Sequence, residues 1–210
     1  MLMYPVESGP FATIGYLVCC TDTKCGLVID VPLDSSQYFT DYARKNNIDI
    51  NYIFLTHTHW DHTADLSKLK KETDAKIYVN HLDEYRIKDP MKHALMPLPF
   101  ELEPAEPDFY FQDEQKINVG NIQIEVRFTP GHTEGGTSFV IHKERKVFAG
   151  DTLFYGSIGR VDLPGGSYDT IINSIKQKLF TLDDDYEVYS GHGPKTTIGY
   201  EKMTNPFFQD

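Results

Sequence analysis

Thr56-His57-Thr58-His59-Trp60-Asp61-His62 closes the short apolar run Tyr52–Thr56, which reads as a buried strand, and puts four ionisable side chains into six positions. Such a set at the end of an apolar strand suffers severe mutual desolvation unless a cation neutralises it. Imidazole and carboxylate are the ligand set for zinc, iron or manganese, and the alternation of His57, His59 and Asp61 on a loop lets neighbouring ligands face one ion. Metal binding is therefore the reading of this run.

Three further segments follow predicted strands in the same way: Gly131-His132-Thr133, Gly150-Asp151-Thr152 and Gly191-His192-Gly193. Five of the eight histidines fall in these four segments. Each begins where an apolar run ends, which predicts that their side chains meet at one rim of the sheets, the usual position of α/β sites. The glycine before His132, Asp151 and His192 permits close backbone approach. His81, His93 and His142 lack a flanking glycine or a second ligand type and read as ordinary packing or surface residues.

Around these segments the chain alternates strand and helix signals. Phe11–Cys20 and Gly26–Val31 are β-branched apolar runs joined by a turn over Thr21–Cys25. Asp34 is expected to cap a helix running to about Asn46. A helix over Ala64–Glu72, a strand over Lys76–Val79 and a short helix over His81–Ile87 follow. Ile87–Gln115 carries five prolines without a clear period, and reads as a long irregular connection, either a lid or a segment draped over a sheet edge. In it Phe100, Phe109, Tyr110 and Phe111 read as packing residues. Strands are predicted over Ile122–Thr129, Thr137–His142, Lys146–Ala149 and Tyr186–Tyr189, and an amphipathic helix over Tyr168–Leu179. Hairpin-like neighbours in both halves argue for an α/β arrangement of mixed sheets covered by helices in one domain, 1–210.

Composition bounds the function. With 20 Lys+Arg against 31 Asp+Glu the formal charge is −11, which favours neither nucleic acid nor an anionic membrane as partner. The longest apolar stretch, Phe11 to Cys20, falls short of the roughly 20 residues a bilayer requires, so no membrane span is expected. Three cysteines, Cys19, Cys20 and Cys25, are too few for a disulfide scaffold and read as small buried hydrophobes in a reducing cytoplasm.

The sequence resembles the metallo-β-lactamase superfamily, and within it the single-domain, glyoxalase II-like branch related to hydroxyacylglutathione hydrolases. The likeness rests on Thr56–His62, Thr129-Pro130-Gly131-His132-Thr133, Gly150-Asp151-Thr152-Leu153-Phe154, Gly156-Ser157-Ile158-Gly159-Arg160-Val161-Asp162, Ser190-Gly191-His192-Gly193-Pro194 and Asn205-Pro206-Phe207. The resemblance implies an αββα sandwich of two mixed β-sheets flanked by helices, with a dinuclear metal site at one edge. It implies that His57, His59 and His132 hold a first ion, Asp61, His62 and His192 a second, and that Asp151 bridges them. Two divalent ions, zinc foremost with iron or manganese as alternatives, can share a hydroxide and polarise a carbonyl.

The expected reaction is cleavage of a small-molecule thioester, a 2-hydroxyacyl-glutathione or related acyl thiol, by that metal-held hydroxide positioned with help from Asp61. Arg160 falls where related enzymes place a basic residue for the carboxylate of glutathione; the alternative is that it pairs with Asp162. His62 and the absence of a cysteine after Cys25 argue against β-lactam hydrolysis. Full-length glyoxalase II enzymes continue into a helical C-terminal domain that helps grip glutathione; by this reading that domain is not expected here, which puts the thiol part of the expected substrate in question. The competing enzyme is a persulfide dioxygenase, in which His57, His132 and Asp151 would hold a single iron.

Overall fold

The computed structural model describes residues 1–209. They form two compact units, the first comprising Met1–Phe111 with Asn118–Ile122, the second comprising Gln112–Ile117 and the chain from Gln123 onward.

The first unit carries a six-stranded mixed sheet in the order β1 (Leu2–Ser8), β2 (Thr13–Cys19), β3 (Cys25–Ile29), β4 (Asp49–Phe54), β5 (Lys76–Val79) and β6 (Phe109–Tyr110). Neighbours from β1 to β3 are antiparallel and those from β3 to β6 parallel. Helix α1 (Ser36–Asn46) links β3 to β4, and the one-turn α2 (Trp60–Thr63) with α3 (Leu66–Thr73) links β4 to β5. Alternate strand residues such as Leu17, Val28, Ile53 and Ile77 pack on Phe39 and Ala43 of α1 and Leu66 and Leu69 of α3. Each such fully buried aliphatic or aromatic side chain contributes about 1.5–3 kcal/mol.

The second unit carries most of another mixed sheet, ordered β14 (Thr196–Thr197), β13 (Glu187–Ser190), β10 (Lys146–Gly150), β9 (Thr137–Ile141), β8 (Ile122–Phe128) and β7 (Lys116–Val119), with a small hairpin of β11 (Leu153–Phe154) and β12 (Ser157–Ile158). β10 and β13 pair in parallel; a bulge between Phe148 and Gly150 interrupts their register. Between β5 and β6 the first unit also holds α4 (Glu84–Lys88). In the second, α5 (Tyr168–Ser174) runs into a π-helical turn over Ile175–Leu179, and α6 (Ile198–Thr204) follows β14. Ile171, Ile175 and Leu179 share a core with Val140, Val147, Ala149 and Val188. Among the described residues no helix is long and apolar enough to cross a membrane.

Mixed sheets with covering helices are the expected α/β plan, and the departures from expectation are local. Ser35, not Asp34, is the N-cap of α1: Asp34 lies outside the helix at φ 63°, and the Ser36 N–H donates to Asp65 Oδ2 at 3.0 Å. β1 escapes the apolar pattern because it is a half-exposed edge strand, where Pro5 is tolerated. The expected continuous helix over Tyr168–Leu179 is α-helical only to Ser174; the Phe180 N–H then bonds Ile175 O at 2.8 Å. Part of the irregular segment 87–115 does drape a sheet edge, since Phe109 and Tyr110 pair with Tyr78 and Val79. Phe111 is buried, Phe100 packs beside Trp60 and Phe109 stacks on Tyr78, whereas Tyr110 is half-exposed and donates its hydroxyl to Glu84. The three cysteines are free, with Cys19 and Cys20 buried.

Glu187 of β13 lies between Lys146 and Lys195 and also accepts from the Tyr189 hydroxyl. These donors hold its carboxyl down at about 2, below the ordinary 4.5. A depressed carboxylate pKa stabilises the folded chain above pH 4.5 and ceases to do so as pH falls through about 2. With the side chain 30% exposed, the contribution is about 1–2 kcal/mol after solvent screening. Urea denaturation of Glu187→Gln is expected to show that loss at pH 7 and a shallower decline of stability between pH 4.5 and pH 2 than wild type.

Candidate metal centre

In the first unit the first of the ligand residues, His57, stands three residues beyond the end of β4. His57, His59 and His62 are 3%, 5% and 0% exposed, and the rings of His57 and His62 lie 4.1 Å apart, those of His57 and His59 4.9 Å. The loop expected to carry His57, His59 and Asp61 is only partly a loop, because Asp61, with His62, stands on the single turn of α2. A four-residue helix is too short to announce itself by periodicity. Thr13, at the start of β2, donates its hydroxyl to Asp61 Oδ2 at 2.8 Å, and Thr58 donates to the Asp83 carbonyl at 2.8 Å, fixing the loop from two sides.

Sequence reasoning passed over Asp30, the residue that organises this half. It follows β3 in a left-handed conformation, φ 56°, and is 2% exposed. Its Oδ1 accepts the Thr56 N–H at 2.8 Å; its Oδ2 accepts the Thr56 hydroxyl at 2.7 Å and lies 2.8 Å from His62 Nδ1. The carboxylate can only accept, so His62 carries its proton on Nδ1 and presents the Nε2 lone pair. Thr56 has spent its hydroxyl proton on Asp30, so its oxygen, 3.1 Å from His57 Nδ1, accepts there and fixes the same tautomer on His57. One carboxylate thus prepares two imidazoles as Nε2 ligands, the outer-shell arrangement typical of metal-bound histidine.

In the second unit His132 follows β8, Asp151 follows β10 and His192 follows β13. His132 Nδ1 donates to the Arg160 carbonyl at 2.8 Å, again leaving Nε2 as the ligand atom. Two glycines make this geometry possible. Gly131 sits at φ 129°, and a Cβ there would lie 2.3 Å from Ile171 N; a Cβ on Gly159 would lie 1.8 Å from the Asp151 carbonyl oxygen. Asp151 Oδ2 is 3.6 Å from His132 Nε2 and 3.4 Å from His192 Nε2.

The donor spacing tests whether an ion fits. Ligands 2.0–2.2 Å from a tetrahedral ion stand roughly 3.4 Å apart. The two Asp151 spacings match, and in the first unit His62 Nε2 and Asp61 Oδ2 are 3.7 Å apart. These distances are longer than a direct hydrogen bond and suit atoms meeting through a cation. Each unit therefore brings together imidazole and carboxylate donors fit for a divalent ion.

Arg160 is 61% exposed on its side chain and makes a two-pronged contact with Asp162, both bonds 2.8 Å. Its guanidinium holds the Asp162 carboxyl down at about 2. The contribution of Arg160 within the unit is thus its main-chain carbonyl beneath His132, a role no side-chain argument could foresee. Of the histidines left out of the site, His142 bridges Tyr186 and Glu125 at 2.8 and 2.9 Å, as an ordinary surface residue would.

The profile of the metallo-β-lactamase superfamily matches residues 9–192. The chain belongs to that superfamily. It is 35% identical over 189 residues to the hydroxyacylglutathione hydrolase GloC of Haemophilus influenzae, covering 89% of this chain and 88% of GloC. Among solved structures, the B3 metallo-β-lactamase BLEG-1 superposes with a TM-score of 0.92 at 30% identity, covering 100% of both chains. TTHA1623, described in a di-iron-bound form, superposes at 0.84 and 30% identity, covering 97% of this chain and 99% of its own. The fold is that of this metallo-hydrolase superfamily, and divalent metal binding agrees with the donors in each unit.

Proposed function

We propose that this metallo-β-lactamase-fold chain is a metal-dependent thioester hydrolase acting on a 2-hydroxyacyl-glutathione or a related acyl thiol. The observation that carries the reading is the identity to GloC across most of both chains, joined to a complete set of seven His and Asp ligand residues. In this reading residues 1–210 form one domain with a dinuclear centre. His57, His59 and His132 would hold one ion, Asp61, His62 and His192 the other, and Asp151 would serve both. Zinc is the proposed metal, and the di-iron form of TTHA1623 makes iron the comparison to run. The reduced cysteines suit a cytoplasmic setting.

Bound there, the ions would supply a water acidified toward neutral pH and a Lewis acid for the substrate carbonyl. The chain's own residues do the positioning. Asp61, steadied by Thr13, orients the attacking water. Arg160 exchanges Asp162 for the carboxylate of the thiol, keeping the same two-pronged hydrogen bonding. No side-chain nucleophile is required.

The test uses zinc-loaded and iron-loaded protein in parallel, with a thiol-release assay, an oxygen electrode and a cephalosporin assay. Free thiol and carboxylic acid are expected from lactoyl-glutathione without oxygen uptake. Oxygen uptake on glutathione persulfide, confined to the iron form and without thioester cleavage in either, would instead establish the dioxygenase reading with His57, His132 and Asp151 around one iron. Faster turnover of the cephalosporin than of any thioester would establish the lactam activity that the description of BLEG-1 brings into question.

A further inference from the structure

Cys20 and Cys25 face each other across the turn that joins β2 to β3. The register pairs Cys19 with Gly26, so the next step outward sets Cys20 opposite Cys25, and the Cys20 N–H bonds Cys25 O at 3.0 Å. Residues directly opposed on antiparallel strands have Cα atoms about 4.5–5.5 Å apart, inside the roughly 4.4–6.8 Å that a disulfide spans. Strand side chains alternate between faces, and Cys19 points into the aliphatic core of the first unit with Leu17 and Val28. Cys20 and Cys25 therefore share the opposite face.

The turn between β7 and β8, which belongs to the first unit, meets these sulfurs. Gly120 in that turn takes φ 57°, and a Cβ on it would lie 2.1 Å from Thr23 Oγ1 and 3.2 Å from Cys20 Sγ, so glycine is what lets the turn come this close. The Asn121 N–H donates to Cys20 Sγ at 3.4 Å. The Thr23 hydroxyl accepts the Cys25 N–H at 3.4 Å and donates to the same sulfur. That hydroxyl foremost, with the main-chain N–H groups of Asn121, Thr23 and Asp22, holds the Cys20 thiol down at about 7 against an ordinary 9.0, although burial opposes it. Its neighbours are prepared differently: burial pushes both Cys19 and Cys25 up, and the Cys19 thiol donates to the Cys20 carbonyl at 3.3 Å. One sulfur of the three is thus poised as a thiolate near neutral pH.

We propose that Cys20 and Cys25 form a two-cysteine oxidation site that reduces a small hydroperoxide, with Cys20 as the attacking sulfur and Cys25 as the resolving one. Cys20 is 3% exposed, which admits an oxidant of a few atoms and excludes a bulky disulfide. The Cys20 thiolate attacks one oxygen of hydrogen peroxide, the O–O bond breaks, and the hydroxide released takes a proton to become water, leaving Cys20 as a sulfenic acid. Cys25 then gives up its proton, and its sulfur bonds Cys20 Sγ as the S–O bond breaks and a second water leaves. Two thiols lose two electrons and the peroxide gains them. The site does not depend on the thioesterase reading.

The test treats the zinc-loaded full chain with hydrogen peroxide at pH 7. Two of the three thiols are expected to disappear and to return with dithiothreitol, with peptide mapping joining Cys20 to Cys25 and leaving Cys19 free. The rate of thiol loss should rise with pH through an inflection near 7. In Cys25→Ser, dimedone should label Cys20. A half-ionised thiol carries roughly fifteen times the thiolate of an ordinary one at pH 7 and loses about fivefold in nucleophilicity, so Cys20→Ser should slow the oxidation at least about threefold and remove the inflection. Thiol loss spread evenly over Cys19, Cys20 and Cys25 would overturn the site. So would a wild-type rate that inflects only above about pH 8.5, or thiols left intact by peroxide that oxidises glutathione in the same buffer. These three readings come from wild type and stand whether or not the serine variants fold.

Discussion

Asp151→Ala is expected to abolish thioester hydrolysis while leaving a folded chain. The residue stands just past β10, its side chain is 11% exposed, and it contributes nothing to the aliphatic core of the second unit. Its Oδ2 lies 3.6 Å from His132 Nε2 and 3.4 Å from His192 Nε2, each a spacing that suits a cation between the two atoms. Deleting the carboxylate removes a buried negative charge without opening an aliphatic cavity, so the near-UV circular dichroism and cooperative unfolding should persist. Turnover should fall at least about a thousandfold, the scale associated with losing a fixed group that stabilises transition-state charge. Elemental analysis should show metal per chain reduced alongside activity. Near-normal turnover at full metal content would remove Asp151 from the centre.

Much of this was legible in the sequence, for a physical reason. Four ionisable groups in six positions after the run Tyr52–Thr56 make no sense without a counter-ion; the strands β2, β3, β9 and β10 show as nearly continuous runs because both their faces are largely covered, and β8 shows by alternating Ile122, Ile124 and Val126 with Gln123, Glu125 and Arg127. The parts that stayed hidden are those with no period to read. β6, β11, β12 and β14 are two residues each, and α2 is a single turn. The π-helical turn over Ile175–Leu179 keeps the apolar spacing of an ordinary helix and differs only in its hydrogen bonding. Second-tier residues were harder still. A threonine hydroxyl beneath Asp61 or a main-chain carbonyl beneath His132 has no signature in residue type. Asp30 did leave a trace, since it ends the apolar run of β3 as Asp151 ends that of β10.

Asp30 carries the second large prediction. Its two oxygens face three donors: the Thr56 N–H, the Thr56 hydroxyl and His62 Nδ1–H. Asp30→Ala leaves these groups buried without their acceptor, at about 1–3 kcal/mol for each one that stays unsatisfied. A milder change separates the packing role from the tautomer role. In Asp30→Asn one oxygen becomes an NH2 group, and either orientation of the amide sets a donor against a donor. If the NH2 faces His62, that ring must move its proton to Nε2 to offer Nδ1 as acceptor, and the lone pair meant for the metal is lost. If it faces the Thr56 N–H, the peptide entering the ligand run is pushed away. Either way, metal affinity measured by chelator competition is expected to fall about 10- to 100-fold, the range for removing an outer-shell partner, with a smaller loss of stability than in Asp30→Ala. Nitrogen-15 spectra of the imidazoles in metal-free protein give the deciding readout. Wild type should show His57 and His62 protonated at Nδ1, and Asp30→Asn should shift His62 toward the other tautomer or a mixture of the two. An Asn variant with wild-type metal affinity and unchanged imidazole spectra would reduce Asp30 to a structural brace, and the preparation of the two histidines would then have to come from the ion itself.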